Sequence, residues 1–295
     1  MSTTAPQTPA PRARMLISCP DRPGIVAAVS QFLFAQGANI VRSDQHTTDP
    51  GGGSFFMRVE FDLPGIPSGL DALTAGFSPI ADRFRMQWRL ASSEPRKRLA
   101  LFVSREGHCL SELLWRWQSG ELPCDLELVV SNHPDLAPAA RALDLPFHHI
   151  PVPGSGAGRA AAEAAQIELL DHHRIDLVVL ARYMQILSPA FVARFAGRVI
   201  NIHHSFLPAF AGGNPYGQAH ARGVKIIGAT AHYVTADLDA GPIIEQDVQR
   251  VTHRDGVADL RRVGRQIERA VLARAVAWHL EDRILLHGHR TVVFD

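Results

Sequence analysis

The stretch that decides the fold is Val199-Ile200-Asn201-Ile202-His203-His204-Ser205-Phe206-Leu207-Pro208-Ala209-Phe210. Its first half is a short apolar run that reads as a strand buried on both faces. The run ends on Asn201 and His203. These are two residues apart, so an extended backbone points them to the same side. Similar runs without polar alternation lie at Leu99 to Val103, Leu126 to Ser131 and Leu177 to Leu180, with helical stretches between them. Strands of this kind imply a parallel sheet covered by helices. In such open α/β sheets, ligands gather at the C-terminal ends of the strands, where Asn201 and His203 stand. The longer runs Ile226 to Val234 and Ile243 to Val251 read as a late strand pair. Gly256 to His279 reads as a long closing helix with Val257, Leu260, Val263, Ile267 and Val271 at helical spacing.

Residues 13–90 read differently. Arg14 to Cys19 is a strand. Asp21-Arg22-Pro23-Gly24 opens a helix that buries Ile25, Val29, Phe32 and Leu33 and stops at Gly37, with Asp21 placed to cap it. Two strands, Asn39 to Thr47 and Ser54 to Leu63, flank a turn rich in glycine. A helix near 68–82 and a strand at 84–90 complete a ferredoxin-like β-α-β-β-α-β order. The polar segment 91–98 reads as a linker, residues 99–295 as the larger α/β domain, and residues 1–12 as a disordered tail.

Composition narrows the function. The net charge of +1 gives no electrostatic case for nucleic acid or a membrane surface as partner. No stretch reaches the ~18 apolar residues of a membrane helix, and no signal peptide is evident. The three widely spaced cysteines form neither a disulfide framework nor a metal motif, which fits a reducing, cytoplasmic location. The pairs His148-His149 and His172-His173 lack metal-ligand spacing, so no metal is expected.

An amide and an imidazole aimed at one point suit an acyl carbonyl. The amide N–H donates to a developing oxyanion, and the imidazole donates when protonated or moves a proton. A second polar segment, Val234-Thr-Ala-Asp-Leu-Asp-Ala-Gly-Pro242, carries Asp237 and Asp239 in a tight turn. A carboxylate there, near an imidazole, holds it protonated and orients a water. Each residue taken alone has an ordinary reading: Asn201 as a strand-end turn residue, His203 as a satisfied polar group, and Asp237 and Asp239 as turn acids.

Taken together, the segments at 201–210, Gly-Ala-Thr-Ala-His-Tyr-Val-Thr at 228–235 and Leu-Asp-Ala-Gly-Pro-Ile-Ile at 238–244 resemble the formyltransferase family of folate enzymes. The doubled His203-His204, Gly213-Asn214-Pro215-Tyr216 and Ile244-Glu245-Gln246-Asp247 resemble its formyltetrahydrofolate deformylase branch. Residues 13–90 resemble an ACT domain, through Asp21-Arg22-Pro23-Gly24-Ile25-Val26 and Gly37-Ala38-Asn39-Ile40. The resemblance implies a Rossmann-like catalytic domain behind an ACT amino-acid-binding regulatory domain. It implies hydrolysis of 10-formyltetrahydrofolate to formate and tetrahydrofolate, supplying formate for purine synthesis and balancing the one-carbon folate pool. Asn201, His203 and Asp239 would be catalytic. Tyr183, Met184, Gln185, Ile186, Leu187, Gly213 and Asn214 would bind the folate substrate, with no cofactor. Asp21, Arg22, Pro23, Gly24 and Asn39 would bind an amino-acid effector, methionine or glycine, or else the unit would be purely structural. ACT units pair side by side, so a homo-oligomer is expected by analogy.

The alternative is transfer of the formyl group to an amine. Transferases acting on glycinamide ribonucleotide carry a glycine-rich phosphate loop after the first strand. Here the loop reads Ser104-Arg105-Glu106-Gly107-His108-Cys109, with one glycine and an acid that repels phosphate. A transferase acting on transfer RNA would be expected to carry a further nucleic-acid-binding domain. A regulator with a decayed catalytic domain would not be expected to keep Asn201, His203 and Asp239 together.

Overall fold

A computed structural model describes residues 12–49, 51–62, 66–208 and 215–294. The chain divides into two compact units.

In the first unit, β1 (Arg12–Pro20), α1 (Ile25–Ala35), β2 (Asn39–Thr47), β3 (Ser54–Asp62), α2 (Ile66–Phe84) and β4 (Gln87–Ser92) follow the expected ferredoxin-like order. The sheet runs β2-β3-β1-β4 and is antiparallel throughout. Alternation in β3 sends Phe55, Met57, Val59 and Phe61 into one core with Val29, Leu33 and Phe77. The opposite face of β1 and β3 carries Arg14, Arg58 and Glu60. Arg58 is buried, donating Nε to the Asp282 carbonyl at 3.0 Å and Nη2 to the Glu281 carbonyl at 3.0 Å. Asp282 also pairs with Arg14 at 3.4 Å and Arg89 at 2.5 Å. Residues 281–285 and the chain from Val292 on therefore group with the first unit, although both lie in the stretch expected to be wholly catalytic.

The second unit takes residues 97–280 and 286–291. Its strands are β5 (Lys97–Val103), β6 (Cys124–Ser131), β7 (Phe147–His149), β8 (Leu177–Leu180), β9 (Val199–His203), β10 (Ile226–Tyr233) and β11 (Ile243–Arg250). They stand in the order β11-β10-β9-β8-β5-β6-β7. Strands β5 to β9 are parallel, while β10 runs antiparallel to both β9 and β11. The helices are α3 (His108–Gln118), α4 (Ala137–Arg141), α5 (Ala157–His172), α6 (Pro189–Arg194), α7 (Pro215–Arg222) and α8 (Val257–Leu280). β5, β8 and β9 are buried almost end to end, as apolar runs covered on both faces must be. The chain leaves β5 for β6 on one side, and β8 returns on the other side of β5. That reversal opens a crevice at the strands' C-terminal ends. The three-residue β7 carries the pair His148-His149 and is too short for its pattern to show in sequence. A last hairpin, β12 (Ile284–His287) and β13 (Arg290–Val293), ends the described chain.

Candidate active site

A cleft of about 310 Å³ opens at the ends of β8 and β9 and is lined by residues 182–187, 234–239, Asn201, His203, His204 and His232. β9 brings Asn201 and His203 to it together, as their spacing requires. The register of β10 then sets His232 opposite Asn201 and Thr230 opposite His203. His232 Nδ1 lies 2.9 Å from the Tyr233 carbonyl, so that nitrogen carries the proton and donates. Its Nε2 is left to accept from Asn201 Nδ2 at 3.2 Å, which fixes the Asn201 amide. Burial pulls the His232 pKa down and keeps the ring neutral, as this tautomer needs.

Asp239 arrives from the turn after β10. The turn is closed by Tyr233 N donating to the Pro242 carbonyl at 2.9 Å. A Cβ on Gly241 would lie 1.7 Å from the Tyr233 carbonyl oxygen, so only glycine fits there. Asp239 takes a left-handed φ of 55°. Its Oδ2 lies 3.2 Å from His203 Nδ1, and its Oδ1 lies 3.7 Å from His232 Nε2. The hydrogen bond from His203 holds the Asp239 carboxyl below its ordinary pKa, against the opposing effect of burial. His203 is buried, and its Nε2 has no hydrogen-bond partner among the described residues. The carboxylate thus orients the ring through Nδ1 and leaves Nε2 for a reacting group.

Residues 183–187 wall the cleft in an uneven way. Tyr183 is buried, stacks edge-on against Phe102 and accepts from Gln166 Nε2 at 2.9 Å. Met184 N donates to Ser104 Oγ at 3.0 Å, which ties the loop to the end of β5. Gln185 and Leu187 are half-buried, while the Met184 and Ile186 side chains stand 56% and 62% exposed and are free to cover an apolar ring. Gly213 and Asn214 lie outside the described residues.

The loop after β5 carries one glycine and the acid Glu106, and α3 behind it starts without a side-chain cap. Gly107 begins α3, where a Cβ would meet Leu136 Cδ2 at 2.9 Å, so the glycine serves packing. Glu106 lies 3.4 Å from His108 Nδ1.

Sequence reasoning gave no role to His232, Arg182, Tyr216 or Glu268. His232 sits inside the quoted 228–235 segment, but only strand register shows what it faces. Glu268 is 1% exposed on α8 and binds Tyr216 Oη at 2.6 Å, His108 Nε2 at 2.8 Å and Arg182 Nε at 3.3 Å. His108, Cys109 and Glu268 have metal-ligand proximity, within 4.8 Å. Their chemistry does not suit a dication. Both Glu268 oxygens are engaged, Arg182 supplies a positive charge, and burial holds the Cys109 thiol well above its ordinary pKa.

The neighbouring His204 is pulled down to about 4, first by burial and then by Arg182. Above the unfolded value of 6.5 both states are neutral and its contribution is full. As pH falls toward about 4 the unfolded chain binds a proton that the folded chain refuses, so stability declines. Urea unfolding should show about 2 kcal/mol lost through this residue between about pH 8 and pH 5, and a His204→Gln variant should lose that much less. Equal losses in both proteins would remove the linkage.

Comparison with known proteins places the chain. A family model described as formyl transferase matches residues 97–276, and one described as ACT domain matches residues 13–75. A formyltetrahydrofolate deformylase of Bacillus subtilis (strain 168) is 55% identical over 284 residues, 96% of this chain and 94% of that protein. The chain belongs to the formyltetrahydrofolate deformylase family. A crystal structure of a family member from Pseudomonas syringae pv. tomato superposes with a TM-score of 0.93 at 50% identity, covering 98% of this chain and 96% of that one. A glycinamide ribonucleotide transformylase from Symbiobacterium toebii matches less closely, with a TM-score of 0.65 at 33% identity, covering 70% of this chain and 98% of that one. The family likeness thus extends over the N-terminal unit, where the structure departs from the sequence reading. Asp21 does not cap α1. Its Oδ2 accepts from Thr47 Oγ1 at 2.7 Å, and Gly24, at φ 94°, is the cap residue. Arg22 donates to the Arg83 carbonyl and lies 4.5 Å over the Phe84 ring. Pro23 is exposed, as is Asn39, which opens β2 opposite Asp62.

Tight packing on α8 can be tested separately. A Cβ on Gly264 would fall 2.0 Å from the Tyr216 hydroxyl and 2.4 Å from its ring carbon. Gly264→Ala should cost about 1–3 kcal/mol, because the ring cannot swing away without leaving Glu268. Chemical denaturation measures this, and an unchanged midpoint would refute it.

Proposed function

We propose that the chain hydrolyses 10-formyltetrahydrofolate to formate and tetrahydrofolate, with Asn201, His203 and Asp239 as its catalytic groups. The observation that carries the assignment of roles is the Asp239–His203 contact beside Asn201, in a cleft at the sheet's C-terminal edge. The pterin lies along residues 183–187, held by main-chain groups and by the exposed Met184 and Ile186. The formyl carbonyl then points at Asn201 and His203. Asp239 uses its second oxygen to orient the attacking water and take its proton. Water oxygen bonds to the formyl carbon, and the carbonyl oxygen becomes an oxyanion met by the Asn201 amide and by His203. His203 passes a proton to N10, the C–N10 bond breaks, and formate and tetrahydrofolate leave. These steps use protein groups and water, so no cofactor enters. Transfer to an amine is the weaker reading, because the Ser104–Cys109 loop has a single glycine and an acid, Glu106, that repels phosphate.

The test is incubation with 10-formyltetrahydrofolate in buffer containing a chelator and no amine. Formate and tetrahydrofolate should appear in equal amounts. No turnover until an amine is added would make the chain a transferase.

The N-terminal unit fits an amino-acid sensor. The start of α1 has no side-chain cap and no acid in its first turn, so its N–H groups suit a carboxylate. Since Asp21 and Arg22 are engaged within the fold, they shape this site rather than close on the ligand. Methionine or glycine is the effector we favour. Calorimetric titration of the whole protein should show saturable heat with one of them, and no heat with either would count against sensing. A homo-oligomer through this unit and a cytoplasmic location complete the reading, the latter supported by buried cysteines that form no disulfide.

A further inference from the structure

Arg182 and His204 line the cleft but take no part in the hydrolysis just described. Both belong to one buried construction. The His204 ring stacks on His203, with centroids 5.3 Å apart and planes 28° apart, and its centroid lies 6.1 Å from that of Tyr216. Tyr216 donates to Glu268, which also holds His108 and Arg182. His204 lines both the cleft and a separate apolar cavity of about 150 Å³, which Tyr216 also lines, so the His204 ring stands between the two. With no Cβ, Gly264 leaves room for the Tyr216 ring against α8.

An amine acceptor carries a substituent, and a water does not. That substituent must leave the formyl carbon on a side that folate does not fill. With the pterin on residues 183–187 and Asp239 on the nucleophile's proton, the way out runs past Arg182 and His204. Opening it means moving Tyr216 and leaving the Glu268 carboxylate short of a donor in a dry place. We propose that His204 and Tyr216, held by Glu268, form a wall that shuts out amine acceptors and leaves water as the nucleophile. The inference rests on the hydrolase reading and names what selects its nucleophile.

The experiment is a competition. The whole protein is given 10-formyltetrahydrofolate with glycinamide, and formate and N-formylglycinamide are both measured. In a transfer, the amine nitrogen bonds to the formyl carbon and loses a proton, the C–N10 bond breaks, and N10 gains a proton. Wild type should release formate and make no formylglycinamide above the enzyme-free background. Folded Tyr216→Ala and Tyr216→Leu proteins should raise the ratio of formylglycinamide to formate about tenfold or more over wild type. An unmoved ratio in a folded variant overturns the wall. So does wild-type transfer to glycinamide at a rate matching hydrolysis. If neither variant folds, the wild type decides through a size series of hydroxylamine, methylamine and glycinamide. Interception should fall steeply with size, and equal interception overturns the proposal. Failure of the hydrolase reading looks different, since wild type would then release no formate in buffer alone.

Discussion

Replacing Asn201 by alanine should lower turnover by about 100- to 1000-fold while the protein stays folded. The amide is half-buried in the middle of β9, and one of its hydrogens is already spent on His232 Nε2. That bond holds the amide still before the substrate arrives, so its other donor meets the oxyanion without reorganising. Such help exists only once charge develops on oxygen, so kcat should fall while KM moves little. The stability cost should be about 1 kcal/mol, the net worth of one hydrogen bond. Formate release under saturating substrate, beside a denaturation curve, measures both. Near-normal turnover in a folded Asn201→Ala protein would remove Asn201 from the mechanism.

Asp239→Asn should reduce turnover by about 100- to 10,000-fold, the range for loss of a positioned acid–base group. Volume is conserved, and the left-handed φ of 55° is one that asparagine tolerates well, so the turn should persist. What is lost is charge. The carboxylate orients His203 through Nδ1 and has a second oxygen to take a proton from water. Its lowered pKa keeps it ionised throughout the neutral and mildly acidic range. Raising the pH therefore recruits no further carboxylate in wild type, and it should not rescue the amide variant. The stability linkage has the matching sign. The contribution of Asp239 is present above its unfolded value of 3.8 and is lost as pH falls through the lower folded value. A kcat profile against pH tests the assignment, and an Asp239→Asn protein within a few-fold of wild type would sink it.

His232 shows where reading along the chain stopped. It lies in β10 among apolar neighbours, and nothing local separates it from a histidine that merely fills space. It became part of the site when β10 paired with β9 and set it opposite Asn201. Asp21 failed in the other direction. Its position before a helix suggested a cap, but the hairpin of β2 and β3 brought Thr47 within 2.7 Å, and that partner won. Glu268 was invisible for a third reason. A lone acid on a helix normally faces water, and this one is buried because α3, α7 and the end of β8 each bring it a partner.

The residues alone determined the parallel sheet, the order of elements in the first unit, the main strands and closing helix of the second, and the shared direction of Asn201 and His203. These follow from the period of an extended strand and from the apolar runs of strands covered on both faces, which are properties of neighbours along the chain. Only the tertiary structure decided that Asp239 reaches His203, that His232 steadies Asn201, and that Tyr216 and Glu268 stand behind His204. Those contacts join segments far apart in sequence, and their geometry is set by cross-strand register and by burial of charge, which no local pattern encodes.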